Sequence, residues 1–546
     1  MASDLDRKYD ETLAAATGPG GRIVIDHDSA GRAIVGNFPA TLPDFFRSFC
    51  ALNAGTEAVV SGDERLSFAD IDRISEKLAR ALAARGIAKG DRVAIAMRNC
   101  PAWIISYMAI LKAGGVATLL NGWWQSHEMA HALDLTKPVL VIADGARAAR
   151  LPCPQVVALD IELPVEAAIA PLLEKGEAQL PDVAEDDLAT ILFTSGSTAE
   201  SKGAVSTHRA VTTGAYSYAI GLMVLKAILE SENRPPPPPR TLLSVPLFHV
   251  TGEVPVLLNS FVIARTLVLM PKWDAGEALR LIEKERVTYF VGVPTMSLEL
   301  MTHPDRDKYD LSSLSDITAG GAPRPVAHVK RLKETFRNAR PALGYGLTET
   351  NAVGCINFWS NYSEKPASTG RATPPLVEIA ILNDAGDHLP PGQTGEIGIR
   401  SAANMKGYWD NPEATRAAFT KDNYVRTGDV GYLDEDGYLF IVDRKKDIII
   451  RGGENIAAAE VEAACYSCPN VAEASVFAAP DDRLGEVPVA VIYTTGGLDE
   501  PSLRAFLQSN LSAFKVPERL IFVDEPLPKL GTGKIDRVLL KARYAR

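Results

Sequence analysis

The chain has 546 residues, of which 46% are apolar and 23% are charged, a balance typical of soluble globular proteins. A chain of this length is too long to fold around one compact core, so we expect several domains. The net charge of −11 disfavours a broad surface for nucleic-acid phosphates, but it leaves room for a local site that binds one nucleotide.

The N-terminus and the cysteines favour a cytoplasmic location. No basic segment followed by an apolar run opens the chain, so we expect no signal peptide. The longest apolar run, 257–270, is too short to span a bilayer and contains Arg265, so we expect no transmembrane segment. Six cysteines give no disulfide framework. Cys465 and Cys468 form a C-x-x-C that we interpret as part of a helix, with metal or redox chemistry as the alternative.

Short β-branched runs alternate with amphipathic stretches in the first part of the chain. Predicted helices are 101–115 and 275–287, and predicted strands are 91–97, 137–144, 187–195, 240–248 and 287–294. This alternation is typical of parallel sheets covered by helices on both faces, which bind ligands at the C-terminal ends of their strands. Five prolines within 233–240 predict a stiff extended surface loop, with a ligand for a proline-recognition domain as the alternative.

From about residue 372 the pattern becomes that of a β-rich region followed by a small α+β unit. A hairpin is predicted at 378–401, and short strands with Asp-Gly-type turns at 424–456. The elements that follow are a helix, two strands, a helix and a strand, at 457–467, 474–478, 487–494, 501–513 and 519–523. The predicted fold is α/β, with a large N-terminal domain (1–442) of parallel-rich sheets and a β-rich subdomain, a hinge (443–447) and a small α+β C-terminal domain (448–546).

The stretch TSGSTAESKG, residues 194–203, follows a predicted strand and is suited to phosphate binding. Lys202 can place a charge on a phosphate, and the hydroxyl donors are Thr194, Ser195, Ser197 and Thr198, with Gly196 allowing close approach of the backbone. The order differs from G-x-x-x-x-G-K-[ST], because Gly203 follows the lysine. A solvated Ser/Thr turn is the alternative.

Three further stretches carry side chains suited to nucleotide chemistry. In GYGLTETN, Tyr345 could stack on a base, Thr348 could bond a phosphate and Glu349 could hold Mg²⁺. Asp429, after a glycine in VRTGDVG, could accept two sugar hydroxyls. Lys534 lies on the glycine-flanked loop of PKLGTGKIDR. Tight turns and solvated surface residues are the alternatives. His249, in the stretch PLFHVTG, is by itself more typical of a packed polar side chain than of a catalytic one.

Six motifs in this order resemble the adenylate-forming superfamily of acyl-CoA synthetases, peptide-synthetase adenylation domains and luciferases. They are FTSGSTAESKG, PLFHVTG, GYGLTET, YVRTGD, DRKKDIIIRGGENI and PKLGTGK, and the resemblance runs from about residue 40 to about residue 540. GGENI and FHVTG look most like the acyl-CoA synthetase branch. The resemblance implies a two-step reaction: a carboxylate attacks the α-phosphate of ATP to give an acyl-adenylate and pyrophosphate, and the thiol of coenzyme A then displaces AMP.

The resemblance also implies roles for individual residues, with ATP, Mg²⁺ and coenzyme A as cofactors or substrates. Lys534 would contact the carboxylate and the α-phosphate, Lys202 and its loop the β- and γ-phosphates, and Thr348 the α-phosphate. Glu349 and Thr198 would bind Mg²⁺. The adenine and ribose would be held by Tyr345 and Gly346, the backbone of Gly321, Ala322 and Pro323, and Asp429 and Arg444.

The second step implies rotation of the C-terminal domain about Lys446, which removes Lys534 from the site. Gly452, Gly453 and Glu454 would then line the coenzyme A channel, and His249 would lie where the acyl and thiol channels meet. The apolar residues expected near the acyl pocket, beside His249, are Val250, Val353, Ile356, Phe358 and Trp359.

Two departures from the superfamily pattern fall in the phosphate loop. Ala199 stands where a glycine is usual and Ser201 where a proline is usual, changes that would weaken ATP binding. The leading hypothesis is an acyl-CoA synthetase for a fatty or other apolar acid, with a homodimer possible. The alternatives are transfer to a carrier protein in trans and a non-catalytic paralogue that binds adenylate.

Overall fold

The computed structural model describes residues 3–151, 153–194, 201–321, 324–530 and 533–545. The strands of the first part of the chain are β1 (Ile25–His27), β2 (Ala33–Val35), β3 (Glu57–Ser61), β4 (Glu64–Ser67), β5 (Arg92–Ala96), β6 (Val116–Leu119), β7 (Leu140–Asp144), β8 (Val156–Leu159), β9 (Leu188–Thr194), β10 (Lys202–Thr207), β11 (Arg240–Leu243), β12 (Thr266–Leu269), β13 (Tyr289–Gly292), β14 (Asp316–Gly320), β15 (Arg340–Gly346), β16 (Gly354–Phe358) and β17 (Arg371–Ala372). The later strands are β18 (Glu378–Leu382), β19 (Gly395–Arg400), β20 (Gly407–Tyr408), β21 (Val425–Leu433), β22 (Leu439–Arg444), β23 (Ile449–Arg451), β24 (Glu454–Ile456), β25 (Val471–Asp481), β26 (Gly485–Thr494) and β27 (Arg519–Val523).

Helices cover the sheets and join their strands. The α-helices are α1 (Asp4–Thr17), α2 (Leu42–Leu52), α3 (Phe68–Ala84), α4 (Pro101–Lys112), α5 (Ser126–Thr136), α6 (Gly145–Ala148), α7 (Val165–Ala168), α8 (Ala170–Leu173), α9 (His208–Ser231), α10 (Asn259–Val262), α11 (Ala275–Lys284), α12 (Pro294–Thr302), α13 (Val326–Thr335), α14 (Trp359–Glu364), α15 (Pro412–Ala418), α16 (Ala458–Ser467), α17 (Glu500–Asn510) and α18 (Arg537–Tyr544). A π-helical turn spans Gly252–Leu258, and 3₁₀ turns span Arg306–Lys308, Thr348–Thr350 and Ala513–Lys515.

The first large sheet has the strand order β20-β10-β9-β6-β5-β7-β8 among the described residues. The run from β9 to β8 is parallel, whereas β10 and β20 are antiparallel. Its central strands are buried on both faces, as the short continuous apolar runs predict. At one edge Thr194 pairs with Lys202, so the two ends of the predicted phosphate loop lie side by side.

The second large sheet has the order β17-β16-β15-β14-β13-β11-β12-β3-β4, and it is parallel from β15 to β3. The predicted strand at 240–248 is shorter than expected, because β11 ends at Leu243. Pro246 has no N–H to donate to a neighbouring strand. The side chain of Asn99 takes over the hydrogen bonding there, since it donates to the carbonyl of Val245 and accepts from the N–H of Leu247, both at 2.9 Å.

Helix α9 packs against β9, β10, α2 and the π-helical turn. In the part of the chain that the structure describes, it is the one helix long and apolar enough to cross a membrane, with a mean hydropathy of 1.3. However, 72% of that apolar window is buried inside the protein. The helix therefore has the surroundings of a core helix, which is apolar on all sides for the same reason.

Residues from β23 onward form their own five-stranded sheet, in which β24, β23, β26 and β25 follow one another and β27 pairs with β26. Helices α16 and α17 cover it, and Cys465 and Cys468 are buried in this core. The predicted fold, a large parallel-rich α/β domain with a small α+β C-terminal domain, is confirmed. The exact division at 443–447 stays a prediction.

Candidate active site

A cavity of about 2800 Å³ lies between the two large sheets and the small C-terminal domain. Its wall includes Lys202 and Thr194 from one sheet edge, Thr348 and Glu349 from the turn after β15, and Lys534 from the C-terminal domain. These residues are far apart in the sequence. The fold brings them together because the edges of the two large sheets and a loop of the C-terminal domain border the same cavity.

Lys534 enters this cavity from the C-terminal domain. A Cβ added to Gly321 would lie 3.1 Å from Cε and 3.3 Å from Nζ of Lys534, and Gly321 also has a φ of +76°. The absence of a side chain at Gly321 therefore leaves the passage that the lysine occupies. The neighbouring Gly533 is held in place by a hydrogen bond from Thr295 Oγ1 to its carbonyl at 3.3 Å.

The protonation of Lys534 depends on its enclosure. Burial lowers the pKa of Lys534 to about 8; the positive charge of Arg444 lowers it further, and the carboxylate of Asp429 opposes both effects. An anion bound beside Lys534 would raise this pKa again, because a nearby negative charge stabilises the ammonium form.

Asp429, Tyr345 and Arg444 form a polar group beside this lysine. The hydroxyl of Tyr345 donates to Asp429 Oδ2 at 2.7 Å, and Arg444 Nε lies 3.4 Å from Oδ1. Burial raises the pKa of the Asp429 carboxyl, and Arg444 opposes that shift. Asp429 and Arg444 are paired in the register of β21 and β22, so the sheet fixes their separation.

Glu349 and Lys202 are connected through Tyr408, which sequence analysis missed. The hydroxyl of Tyr408 donates to Glu349 Oε1 at 2.8 Å, and Lys202 Nζ lies 5.0 Å from the centre of its ring. Tyr408 is placed there by the pairing of β20 with β10. No pattern around residue 408 indicates this role, because the contact depends on strand pairing across two hundred residues of chain.

The described residues contain no group of three or more His, Cys, Asp or Glu side chains that could hold a metal ion by themselves. Glu349 lines the cavity, and Tyr408 lies between its carboxylate and Lys202. This donor set fits Mg²⁺, which is usually bound through one or two carboxylates together with substrate phosphates and water. The other predicted ligand, Thr198, lies outside the described residues.

Further predicted nucleotide residues have mixed outcomes. Gly346 lines the cavity, and a Cβ there would lie 2.0 Å from the carbonyl oxygen of Ala352, so the tight turn requires glycine. Thr348 lines the cavity from a 3₁₀ turn. Several predicted residues lie outside the described part of the chain: Ser195, Gly196, Ser197, Ala199, Ala322 and Pro323.

His249 lies on the cavity wall, close enough to Lys534 for the lysine's charge to affect its protonation. Its Nδ1 accepts a hydrogen bond from the N–H of Thr251 at 3.2 Å. Burial lowers the pKa of His249 to about 3, and the neighbouring Lys534 contributes to the shift. The imidazole is therefore neutral at physiological pH, so it can accept or donate hydrogen bonds without adding charge.

An elongated branch of the cavity, here called the trough, runs along one face of the second sheet. Its floor consists of three rows of strand residues in register. The row nearest Lys534 is Gly320, Gly344 and Ile356; the middle row is Val291, Thr318, Ala342 and Phe358; the far row is Tyr289, Asp316 and Arg340. The opposite wall comes from α9 and the π-helical turn.

The predicted acyl-pocket residues divide between the trough and the core. Val250, Ile356, Phe358 and Trp359 line the cavity. Val353 does not: it is 1% exposed and packs in the main core, because the turn after Thr350 directs it away from the trough. The proline run also lines the cavity at the far end, where the carbonyl of Pro239 accepts a hydrogen bond from the N–H of Thr266.

The predicted coenzyme A residues lie away from the cavity in this conformation. Gly452, Gly453 and Glu454 are exposed at the turn between β23 and β24. Lys446, the predicted hinge, follows β22 and lines the cavity. Both roles were expected only with domain rotation, and they stay predictions.

A two-domain α/β fold that brings a C-terminal lysine to a phosphate-type site defines the class of adenylate-forming enzymes. Two family models match the chain: AMP-binding enzyme over residues 46–409, and AMP-binding enzyme C-terminal domain over residues 460–534. The chain belongs to the AMP-binding enzyme family, as the six motifs indicated.

Similar proteins agree on the reaction type. The chain is 34% identical over 513 residues to a long-chain-fatty-acid–CoA ligase of Bacillus subtilis, covering 87% of this chain and 89% of the relative. It is 35% identical over 501 residues to a feruloyl-CoA synthase of Amycolatopsis, covering 89% of this chain and 96% of the relative. The fold is similar to that of a solved structure of O-succinylbenzoate coenzyme A synthetase from Bacillus subtilis in complex with ATP and magnesium ion. The TM-score is 0.77 and the identity 28%, and the match covers 91% of this chain and 99% of that chain. The chain is an AMP-forming acid–CoA ligase.

Proposed function

We propose that this ligase activates a carboxylic acid with a largely apolar body, through an acyl-adenylate, and transfers the acyl group to coenzyme A. The observation that carries the proposal is the continuity of the trough with the cavity holding Lys534, Lys202 and Glu349. A carboxylate at the near end of the trough would meet the phosphate-type residues, while its chain would lie on apolar strand residues.

The first step brings two anions together, so positive charge must be supplied at the meeting point. Lys534 would bind the acid carboxylate and the α-phosphate, and Lys202 the outer phosphates. Asp429 would accept the ribose hydroxyls, with Tyr345 and Arg444 holding its carboxylate in place. Mg²⁺, held at Glu349, would neutralise phosphate charge.

The trough supports an apolar acid because its row nearest the reacting end is apolar, with Ile356 beside two glycines. Gly320, Ala342 and Gly344 leave room beside β14 and β15, and Val291 and Phe358 add apolar surface. The names of the relatives include fatty-acid and feruloyl ligases, so the family accommodates both chain-like and aromatic acids.

The second step requires Lys534 to leave, so that a thiol can reach the acyl carbon. Holding an ammonium whose pKa falls from 10.5 to about 8 costs up to about 3 kcal/mol at neutral pH when no anion is present. When pyrophosphate leaves, the buried ammonium would lose part of its anionic surroundings and become less stable there. This would favour rotation of the C-terminal domain about Lys446. Gly452, Gly453 and Glu454 would then approach the site, and neutral His249 would face the incoming thiol.

The test is a coupled assay with ATP, Mg²⁺, coenzyme A and a panel of fatty, aryl and dicarboxylic acids. We expect release of AMP and pyrophosphate with at least one acid, and loss of at least 100-fold in the adenylation rate in Lys534→Ala, consistent with electrostatic stabilisation of the transition state. Lys515→Ala is the matched control, because Lys515 lies in the same domain and pairs with Glu460 at the surface.

Two results would overturn the proposal. One is the absence of AMP release with every acid in the panel, and the other is an unchanged adenylation rate in Lys534→Ala. Thioester formation on a carrier protein but not on coenzyme A would show a different acceptor. The cytoplasmic location, the homodimer and the effect of Ala199 and Ser201 on ATP binding stay predictions.

A further inference from the structure

Arg265 lies at the far end of the trough, immediately before β12. It is 2% exposed and lines the cavity. Its Nε and Nη1 have no hydrogen-bond partner among the residues that the structure describes. Its guanidinium lies 4.7 Å from the ring centre of Tyr289, in the far row of the floor. Arg265 is therefore a buried cation in the cavity wall, with two N–H donors for which no described residue supplies an acceptor.

The nearest carboxylate is already satisfied by other groups. Asp316 accepts hydrogen bonds from Arg340 at 3.1 and 2.7 Å, from Trp359 Nε1 at 3.0 Å and from Ser315 Oγ at 2.8 Å. It forms an ion pair with Arg340 and acts on Arg265 only at longer range, so Arg265 has no carboxylate of its own among the described residues. Burial lowers the pKa of Arg265, but a guanidinium stays protonated in proteins.

The other charged pair at this end of the cavity is self-contained. Lys226 and Glu230 line the cavity from α9, and their charges lie 3.7 Å apart. They are half exposed, so solvent screens them. Arg324 also lines the cavity as a buried cation, but it donates to the carbonyl of Ala342 at 3.3 Å and lies beside the ring of Tyr362. Arg265 is the buried cation beside the far row of the trough. A buried unpaired charge is costly, which indicates that an anionic ligand group completes the site.

The register of the sheet gives the separation between the far row and the near row of the trough. Asp316 and Gly320 are the first and last residues of β14, so the far row and the near row are about 13 Å apart. An extended carbon chain advances about 1.25 Å per bond, so about ten bonds span the trough. Lys534 lies over Gly321 at one end, and Arg265 lies beside Tyr289 at the other.

We propose that Arg265 is a specificity-determining residue that binds a second carboxylate, and that the preferred substrate is a long α,ω-dicarboxylic acid or an acid of similar length with a distal carboxylate. The inference rests on the proposed function of the trough as the acid-binding site. A guanidinium matches a carboxylate because its planar donors form two parallel hydrogen bonds. The middle row, which is apolar except for Thr318, would contact the chain between the two charged ends.

The test compares dodecanedioic acid, its monomethyl ester and dodecanoic acid, which differ at the distal end alone. In the wild type we expect kcat/KM for pyrophosphate release to be about 10- to 100-fold higher for the diacid than for the ester, the range for hydrogen bonds to charged groups. In Arg265→Met the preference disappears, and in Arg265→Lys part of it remains. Arg280→Met, a surface arginine paired with Glu277, is the control and keeps the wild-type ratio.

Binding measurements separate this inference from the proposed function. Calorimetry with a non-hydrolysable ATP analogue present measures acid affinity without turnover. Diacid binding that depends on Arg265, in a protein that activates no acid, would refute the proposed function and support the Arg265 site. Equal affinity or equal kcat/KM for the three acids, or a ratio unchanged in Arg265→Met, would overturn the Arg265 proposal. Arg265→Met should fold, because replacing a buried unpaired charge by an apolar side chain of similar length is often neutral or stabilising.

Discussion

Replacing Lys534 by arginine should extend acid activation to higher pH. Burial lowers the pKa of Lys534 from 10.5 to about 8, so the side chain loses its charge as the pH rises through that value. Its charge is needed to bring two anions together, so the adenylation rate should be highest below pH 8 and fall above it. At pH 9 about a tenth of the molecules would carry the charge, which gives about a tenfold fall in kcat/KM from pH 7.

Arginine at position 534 stays charged throughout this range. Its larger head group should lower kcat/KM at pH 7, but the fall between pH 7 and 9 should vanish. Neutral replacement, Lys534→Ala, should give a low rate without a pH-dependent step. The shape of the profile therefore separates the role of the charge from the role of the side chain's size.

The assay is acid-dependent exchange between ATP and pyrophosphate, measured from pH 6.5 to 9.5 without coenzyme A, so that no thiol titration contributes. His249 and Tyr345 do not titrate in this window, because burial lowers the pKa of His249 to about 3 and raises that of Tyr345 well above its ordinary value. A wild-type profile that is flat to pH 9.5, or a descending limb that persists in Lys534→Arg, would refute the reasoning. Lys515→Arg should reproduce the wild-type profile.

Three further predictions follow from contacts in and around the site. Tyr408→Phe keeps the ring near Lys202 but removes the hydroxyl donor to Glu349. The Mg²⁺ concentration that gives half-maximal ATP–pyrophosphate exchange should therefore rise about 3- to 10-fold. An unchanged Mg²⁺ dependence would show that this hydrogen bond does not support Mg²⁺ binding. Asp429→Asn should raise the KM for ATP about 10-fold or more with a smaller change for the acid, and an equal rise for both substrates would contradict a ribose-binding role. Asp6→Ala should lower the free energy of unfolding by about 3 kcal/mol in denaturant titrations. The reason is that Asp6 is buried and accepts hydrogen bonds from Tyr438, Asn361 and Arg371. A change below about 0.5 kcal/mol would show that these hydrogen bonds do not hold α1 in place.

Local pattern was sufficient for most of the fold. The strands β5, β7, β13 and β27 and the helices α4 and α16 lie where apolar periodicity and Gly or Pro boundaries predict them. The predicted strand at 240–248 was too long, because the side chain of Asn99, from a distant part of the chain, replaces strand pairing there. Long-range hydrogen bonds of this kind leave no periodic signal in the segment that they reshape.

The candidate site shows the same division. Lys534, Glu349 and Asp429 could be recognised in the sequence, because their motifs are short and follow one another in a distinctive order. Tyr408 could not, since its contact with Glu349 arises from the pairing of β20 with β10. Val353 was expected in the acyl pocket, but the turn that precedes it places the side chain in the core.

By itself, the sequence determined the α/β class, the family and the order of the chemical motifs, because these depend on residue types within short segments. The tertiary structure alone decided which side chains share a cavity, how far apart they lie and which charges are left without a partner. Arg265 is the clearest case: in the sequence it only interrupts an apolar run, whereas the fold makes it a buried cation beside the far row of the trough, about 13 Å from the near row. Burial, pairing and separation are properties of packed strands, and no single segment contains them.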